Sequence, residues 1–258
     1  MATETLPEPS IPITTPFRPK FGFLAATPII AVATVCLSLI ILMAIFAPLL
    51  APHDPLLLAP SQRLKPSSAQ FLLGTDGYGR DLLSRTIYGA RISLLIGIGA
   101  AVFAIGIGLL VGLVSGFFKW VDAVMMRVMD GLMAMPSILL AIAVVSLSGA
   151  SIWTVMVAIT IPEIPRVARL VRAVVLSARE EPYVEAAISV GSSLPKIMWR
   201  HLMPNTIAPL IVQGTYVAAS AILTEAILSF LGAGISPETP TWGNIMAEGR
   251  AYFRSSRR

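Results

Sequence analysis

The 258-residue chain is 55% hydrophobic and 13% charged, with a formal net charge of +5. Soluble domains carry about 25% charged residues, so this composition excludes an ordinary soluble domain. The modest, dispersed positive charge lacks a basic-aromatic cluster, which excludes a nucleic-acid surface and suits loops beside anionic lipid. Cys36, the one cysteine, lies in an apolar run and excludes an internal disulfide; without Cys/His clusters there is no zinc or iron-sulfur centre to expect.

Residues 1–20 are rich in proline and threonine, carry Arg18 and Lys20, and are expected to form a disordered cytoplasmic tail. The stretch 21–51 has no charge and exceeds the apolar core of a secretory signal, about 7–15 residues. It predicts a retained first transmembrane helix, with a cleaved signal as the alternative. Residues 52–90 are polar and form an outer loop. A second span is predicted over 92–118, where Gly108 and Gly112 make a small-xxx-small pair suited to close helix approach. The third, 123–148, contains Pro136. There Arg127 and Asp130 stand one turn apart and are expected to pair. The fourth, 152–175, is interrupted by Pro162, Glu163 and Pro165, which places Glu163 near a helix break with solvent access. A charged amphipathic segment at 177–205 precedes the fifth span, 207–231. A span needs about 20 apolar residues, and five such runs predict an all-α, polytopic transmembrane bundle.

Orientation follows from lysine and arginine placement. A cytoplasmic N-terminus leaves ten of them in inner segments and five in or beside the first outer loop. It also puts the basic end of the chain, Arg254, Arg257 and Arg258, on the outer side, against the rule.

Within 177–205, Tyr183 to Val190 favours helix, and Gly191 permits a sharp redirection. Ser192 or Ser193 can cap a second short helix at 196–203, with Pro195 in its first turn; Pro204 then starts a fresh segment. Ala186 and Ala187 leave room for a partner surface, and Glu185 sets a charge beside them. The residues alone read as an interfacial amphipathic loop. In the outer loop, Gly74, Gly77 and Gly79 allow tight turns, while Asp76, Arg80, Asp81 and Arg85 can form an ion-pair lattice. Glu225 is an intramembrane carboxylate and hence a candidate pathway residue, with a hydrogen bond to Ser229 or a facing helix as the structural reading.

Several of these stretches carry a resemblance. EAA at 185–187, then Gly191, His201 and Pro204, is similar to the EAA loop of ABC importer permeases, His201 standing where Ile is common and Met203 where Leu is common. The outer stretch LGTDGYGRDLLSRTIYGARISL (Gly74, Thr75, Asp76, Gly79, Arg80 and Asp81 within it), the run 122–142 and TEAILSFLGAG at 224–234 resemble the dipeptide/oligopeptide/nickel branch. The resemblance covers about 30–252 and implies a type I ABC importer permease fold, with 91–232 as the permease transmembrane domain.

It further implies that 177–205 couples to a cytoplasmic ATPase. The partners implied are a second homologous permease, two ATPase subunits and an external substrate-binding protein, in a bacterial cytoplasmic membrane. No metal or cofactor is expected on this chain, ATP being used by the ATPase subunits. His201 is expected to be structural. The cargo is expected to be a peptide, with nickel or another small solute as alternatives. The run TPTWGNIMAEGRAYF at 239–253 resembles the family's outer segment before a sixth span. That span is expected to be missing, so that 233–258 is a truncated outer tail. An inactive, ATPase-docking protein and a secondary transporter, for which inverted repeats would be expected, are the readings of other classes.

Overall fold

The computed structural model describes residues 28–253, with side chains up to Arg250; the tail assigned to 1–20 and the basic end at 254–258 lie outside the described residues. The chain divides after Leu39 into two compact units. The first contains most of α1 (Pro28–Ile45), an 18-residue helix with no charged residue and hydrophobic side chains all around it. Such a helix has no polar face to offer water and suits lipid on every side.

The second unit begins with the short helix α2 (Ala47–Leu50) and a long loop, and continues as α3 (Leu82–Phe117). At 36 residues α3 is about 54 Å long, longer than a hydrocarbon core. It starts ten residues before the predicted second span, because Asp81 caps it: its carboxylate accepts from the Ser84 amide at 3.0 Å and from the Ser84 hydroxyl at 2.6 Å.

The predicted third span is broken. α4 (Lys119–Ala134) and α5 (Ser137–Ser148) meet at 89°. Met135, ahead of Pro136, is extended, as a residue before proline prefers. The predicted fourth span behaves oppositely: α6 (Ile152–Ala178) runs unbroken through Pro162 and Pro165. Glu163 is accordingly buried and ion-paired to Arg166 at 2.6 Å, not at a solvated break. Arg127 is not Asp130's partner either; Asp130 bonds Arg169 across the helix pair.

The segment 177–205 folds as α7 (Pro182–Ser189), a turn, α8 (Leu194–Ile197) and a π turn at Met198–Leu202, which passes directly into α9 (Met203–Phe230). Pro204 therefore opens no new segment; it sits in the first turn of α9, where its missing amide costs little. α10 (Trp242–Phe253) closes the described chain.

Among the described residues three helices are long and apolar enough to cross a membrane: α1, α3 and the continuous rod Leu194–Phe230. The bent α4–α5 pair makes a fourth. α6 has the length, but Glu163 lies just before its midpoint and Arg166, Arg169 and Arg172 lie in its second half. α3 is the centre of the packing. Cβ atoms placed on Gly108, Gly112 and Gly116 would lie 2.6–2.7 Å from Val167, Ala168, Val171 or Val175 of α6, and one on Gly97 would meet α9 at Ile222. The Gly108–Gly112 pair thus lets α3 and α6 approach closely, as its spacing predicts.

Candidate functional site

The segment 177–205 is anchored on one side and bare on the other. Val184, Ile197 and Leu202 are fully buried and join the cluster formed by Val171, Val175 and Leu113. Glu185, Ala186, Ile188 and Val190 are exposed, and Val190 is 85% accessible. Gly191 sits at φ +79°, a conformation that costs an L side chain roughly 1–2 kcal/mol. The turn is closed by Gly191 N–H to Ile188 O at 2.9 Å and Ser192 N–H to Ala187 O at 3.0 Å. Ser193 occupies the N-cap position of α8 without a side-chain cap bond.

His201 and Pro204 hold the far side of this bracket. The His201 carbonyl accepts from Asn205 Nδ2 at 2.6 Å, the same nitrogen lies 3.0 Å from the Tyr183 hydroxyl, and the Tyr183 and His201 rings are 6.2 Å apart. Arg179, just before the bracket, donates to the Gly116 carbonyl at the end of α3. One face of the bracket is thus fixed to the bundle, and the other bears small and apolar side chains with a carboxylate among them.

At the opposite end of α3, the outer-loop residues form a buried clasp. Gly74 and Gly79 take φ of +78° and +77°, and a Cβ on Gly79 would lie 1.8 Å from the Ala59 carbonyl oxygen. Thr75 Oγ1 donates to the Gln62 carbonyl and accepts from Lys65 N–H at 2.8 Å, so the loop is stitched to itself. Asp76 accepts from the Tyr78 and Arg80 amides and from Arg80 Nε at 2.6 Å, and Arg85 Nε lies 3.7 Å from it. Asp81 takes no part in this lattice: it caps α3 and stands 3.5 Å from His53 Nδ1.

The residue missed by sequence reasoning is Glu248 on α10. It accepts from Arg80 Nη2 at 2.8 Å and Arg85 Nη2 at 3.1 Å, across more than 160 residues of chain. Two buried guanidinium groups face two carboxylates, so the charges balance where water is excluded. No local spacing pointed to this pairing; Glu248 lies in the Trp-Gly-Asn-x3-Glu stretch of the 239–253 run, far along the chain from Arg80 and Arg85.

Glu225 is wholly buried in α9. Its Oε1 accepts from Ser229 Oγ and Thr241 Oγ1, each at 2.9 Å. Thr241 and Trp242 begin the α10 region: Trp242 Nε1 donates to the Thr86 carbonyl at 3.1 Å, and Asn244 Nδ2 donates to carbonyls of the 235–239 loop. Glu225, Thr241, Asn244 and Glu248 together lock α10 to α9, to α3 and to the outer loop.

Comparison with known proteins fits both regions. Residues 104–253 match the family described as binding-protein-dependent transport system inner membrane component, and residues 28–66 match the N-terminal TM domain of oligopeptide transport permease C. A probable peptide ABC transporter permease protein of Sinorhizobium fredii is 52% identical over 212 residues, 82% of this chain and 72% of the relative. A dipeptide transport system permease protein of Alkalihalophilus pseudofirmus is 39% identical over 251 residues, 97% of this chain and 83% of the relative. A di/tripeptide transport system permease protein of Pseudomonas aeruginosa is 44% identical over 222 residues, 83% and 73% of the two chains. With the family model covering more than half its length and these relatives most of it, the chain belongs to the binding-protein-dependent transport system inner membrane components, multi-pass membrane permeases of ABC importers and not enzymes.

Proposed function

We propose that the chain is the permease subunit of an ATP-driven peptide importer and that the bracket α7–α8 is the face on which a cytoplasmic ATPase subunit sits. The observation that carries the docking reading is the contrast across α7. Val184 is buried beneath it, while Glu185, Ala186, Ile188 and Val190 stand exposed beside a turn closed by the Gly191 and Ser192 amides. A rigid platform with small residues and uncovered aliphatics fits a partner surface better than it fits water. Peptides as cargo are supported by the three relatives, which are peptide, dipeptide and di/tripeptide transport permeases.

On this reading the N-terminus is cytoplasmic, and the α3 end at Leu82 and the clasp lie on the outer side, toward an external substrate-binding protein. A second permease completes the path, and ATP is hydrolysed by two ATPase subunits. Their contact with the bracket must differ in free energy between inward- and outward-open states, since only a differential affinity shifts a conformational equilibrium. Glu225 acts here as a brace for α10, with Ser229 and Thr241 as its partners, and the loop from Gly74 to Asp81 acts as a rigid outer cap.

The test combines Glu185→Lys and Gly191→Trp with measurement of peptide uptake and of ATPase co-purification. Both variants are expected to insert in the membrane and to lose most uptake, with peptide-stimulated ATP hydrolysis uncoupled. Normal uptake in both overturns the docking assignment. Absence of peptide uptake by the wild-type assembly overturns the importer reading itself.

A further inference from the structure

The inner halves of α4 and α6 share an exposed face rich in charged and small side chains, with Trp120 and Val124 beside them on α4. On α6 it runs through Arg166, Arg169, Ala173 and Ser177, all exposed at helical spacing. On α4 it runs through Ala123, Arg127, Asp130, Gly131 and Ala134, likewise exposed and on one side of the helix. One to two turns earlier on α6, the same side is buried: Ala158 and Ile159 pack with Ala141 and Val145 of α5. The face therefore opens at Pro162 and turns polar as it opens.

Depth makes this arrangement costly against lipid. At 1.5 Å per residue, Arg166 and Arg169 lie about 21–26 Å along α6 from Ile152, within the depth of a hydrocarbon core about 30 Å thick. Arg169 and Asp130 pair with each other, yet their side chains remain 46% and 57% exposed. Charged groups at such depth face a water-filled cavity or a partner, not acyl chains. The sign of the face is also set. Arg166 is balanced by Glu163, Arg169 by Asp130 and Arg172 by Asp122, whereas Arg127 makes no ion pair among the described residues. The surplus is positive.

We propose that this α4–α6 face lines the inner half of a water-filled translocation path and that its positive surplus receives carboxylate groups of the passing cargo. This rests on the peptide-import reading, since a peptide always presents a C-terminal carboxylate unless blocked. Bonds between guanidinium and carboxylate are charge-assisted, so a cargo carboxylate can pair with the surplus Arg127, or share Arg169 with Asp130, without stripping Asp130 of its partner.

The experiment uses the full assembly in inside-out vesicles. Cys36 is replaced by Ser, a reporter is introduced as Ala173→Cys, and modification rates are compared for two small water-soluble thiol reagents: anionic sulfonatoethyl and cationic trimethylammonioethyl methanethiosulfonate. Both are expected to react, the anionic one about tenfold faster than its intrinsic ratio to the cationic one predicts, the scale of local enrichment by a charged cleft. Adding Arg169→Gln is expected to abolish or reverse that preference. Failure of either reagent to react, as lipid or a tightly packed partner would impose, overturns the proposal, and so does an unbiased reaction rate. Peptide uptake is measured in parallel in right-side-out vesicles of the wild-type assembly supplied with ATP inside, so loss of the importer reading is seen separately as absence of uptake.

Discussion

At Gly112 a single methyl group decides how closely two helices approach. A Cβ there would sit 2.6 Å from the Ala168 carbonyl oxygen, a backbone atom that cannot rotate away. Gly106, on the same helix, has nothing within 4 Å of its would-be Cβ. Gly112→Ala is therefore expected to destabilise the detergent-solubilised protein by about 1–3 kcal/mol, the usual range for overpacking. Gly106→Ala should be neutral or stabilising by about 0.5–1 kcal/mol, because it removes only glycine's backbone entropy. Thermal unfolding of the two variants side by side checks the pair, and equal effects would show that α3 and α6 are farther apart. This contact was legible in the sequence because small-xxx-small spacing acts within one helix. Arg127 and Asp130 were misread for the complementary reason. Spacing shows which residues can meet on one helix, but Arg169 on α6 offered Asp130 a partner that no local rule contains.

Among the elements, prolines separate local preference from packing. Pro136 breaks its helix and Pro162 and Pro165 do not. The residues around Pro136, from Met133 to Met135, are exposed, so nothing opposes the extended preference of Met135. α6 is wedged against the glycine ridge of α3, with Val167, Val171 and Val175 fully buried, and the packing holds it helical through both rings. Burial of neighbours, which the sequence does not display, settles which proline kinks. The same limit hid the outer clasp: Asp76, Arg80 and Arg85 could be grouped by proximity in sequence, but Glu248 is reached only by folding. Glu248→Gln should leave Arg80 and Arg85 buried with one carboxylate between them. Breaking a buried pair in this way costs about 3–5 kcal/mol. The expected result is a clear drop in thermal stability with faster hydrogen exchange in α10. Glu238→Gln, which alters an exposed carboxylate without an ion pair among the described residues, should change neither. Similar behaviour of the two variants would remove the clasp from the account.

Across the second unit, the bracket and the clasp are joined by one rod. Leu194–Phe230 runs for 37 residues, about 55 Å, with α8 beside the proposed ATPase face and Glu225 bonded to the α10 region at the other end. A force applied at α8 can reach the Glu225 end of the rod without passing through a loop. Besides Pro209, the rod is irregular at the π turn Met198–Leu202, and such bulges interrupt helices frequently at functional places. If stiffness there carries the motion, replacing exposed Trp199 and Arg200 with glycines should weaken transmission at a cost of about 1 kcal/mol each in helix stability. The ATPase is expected to remain bound and active while peptide taken up per ATP hydrolysed falls several-fold. The matching double alanine variant removes the same side chains but keeps helix propensity, and it should transport near the wild-type ratio. Equal losses in the glycine and alanine variants would assign the effect to the Trp199 and Arg200 side chains instead, and normal coupling in both would mean that α9 is not the element that carries the stroke.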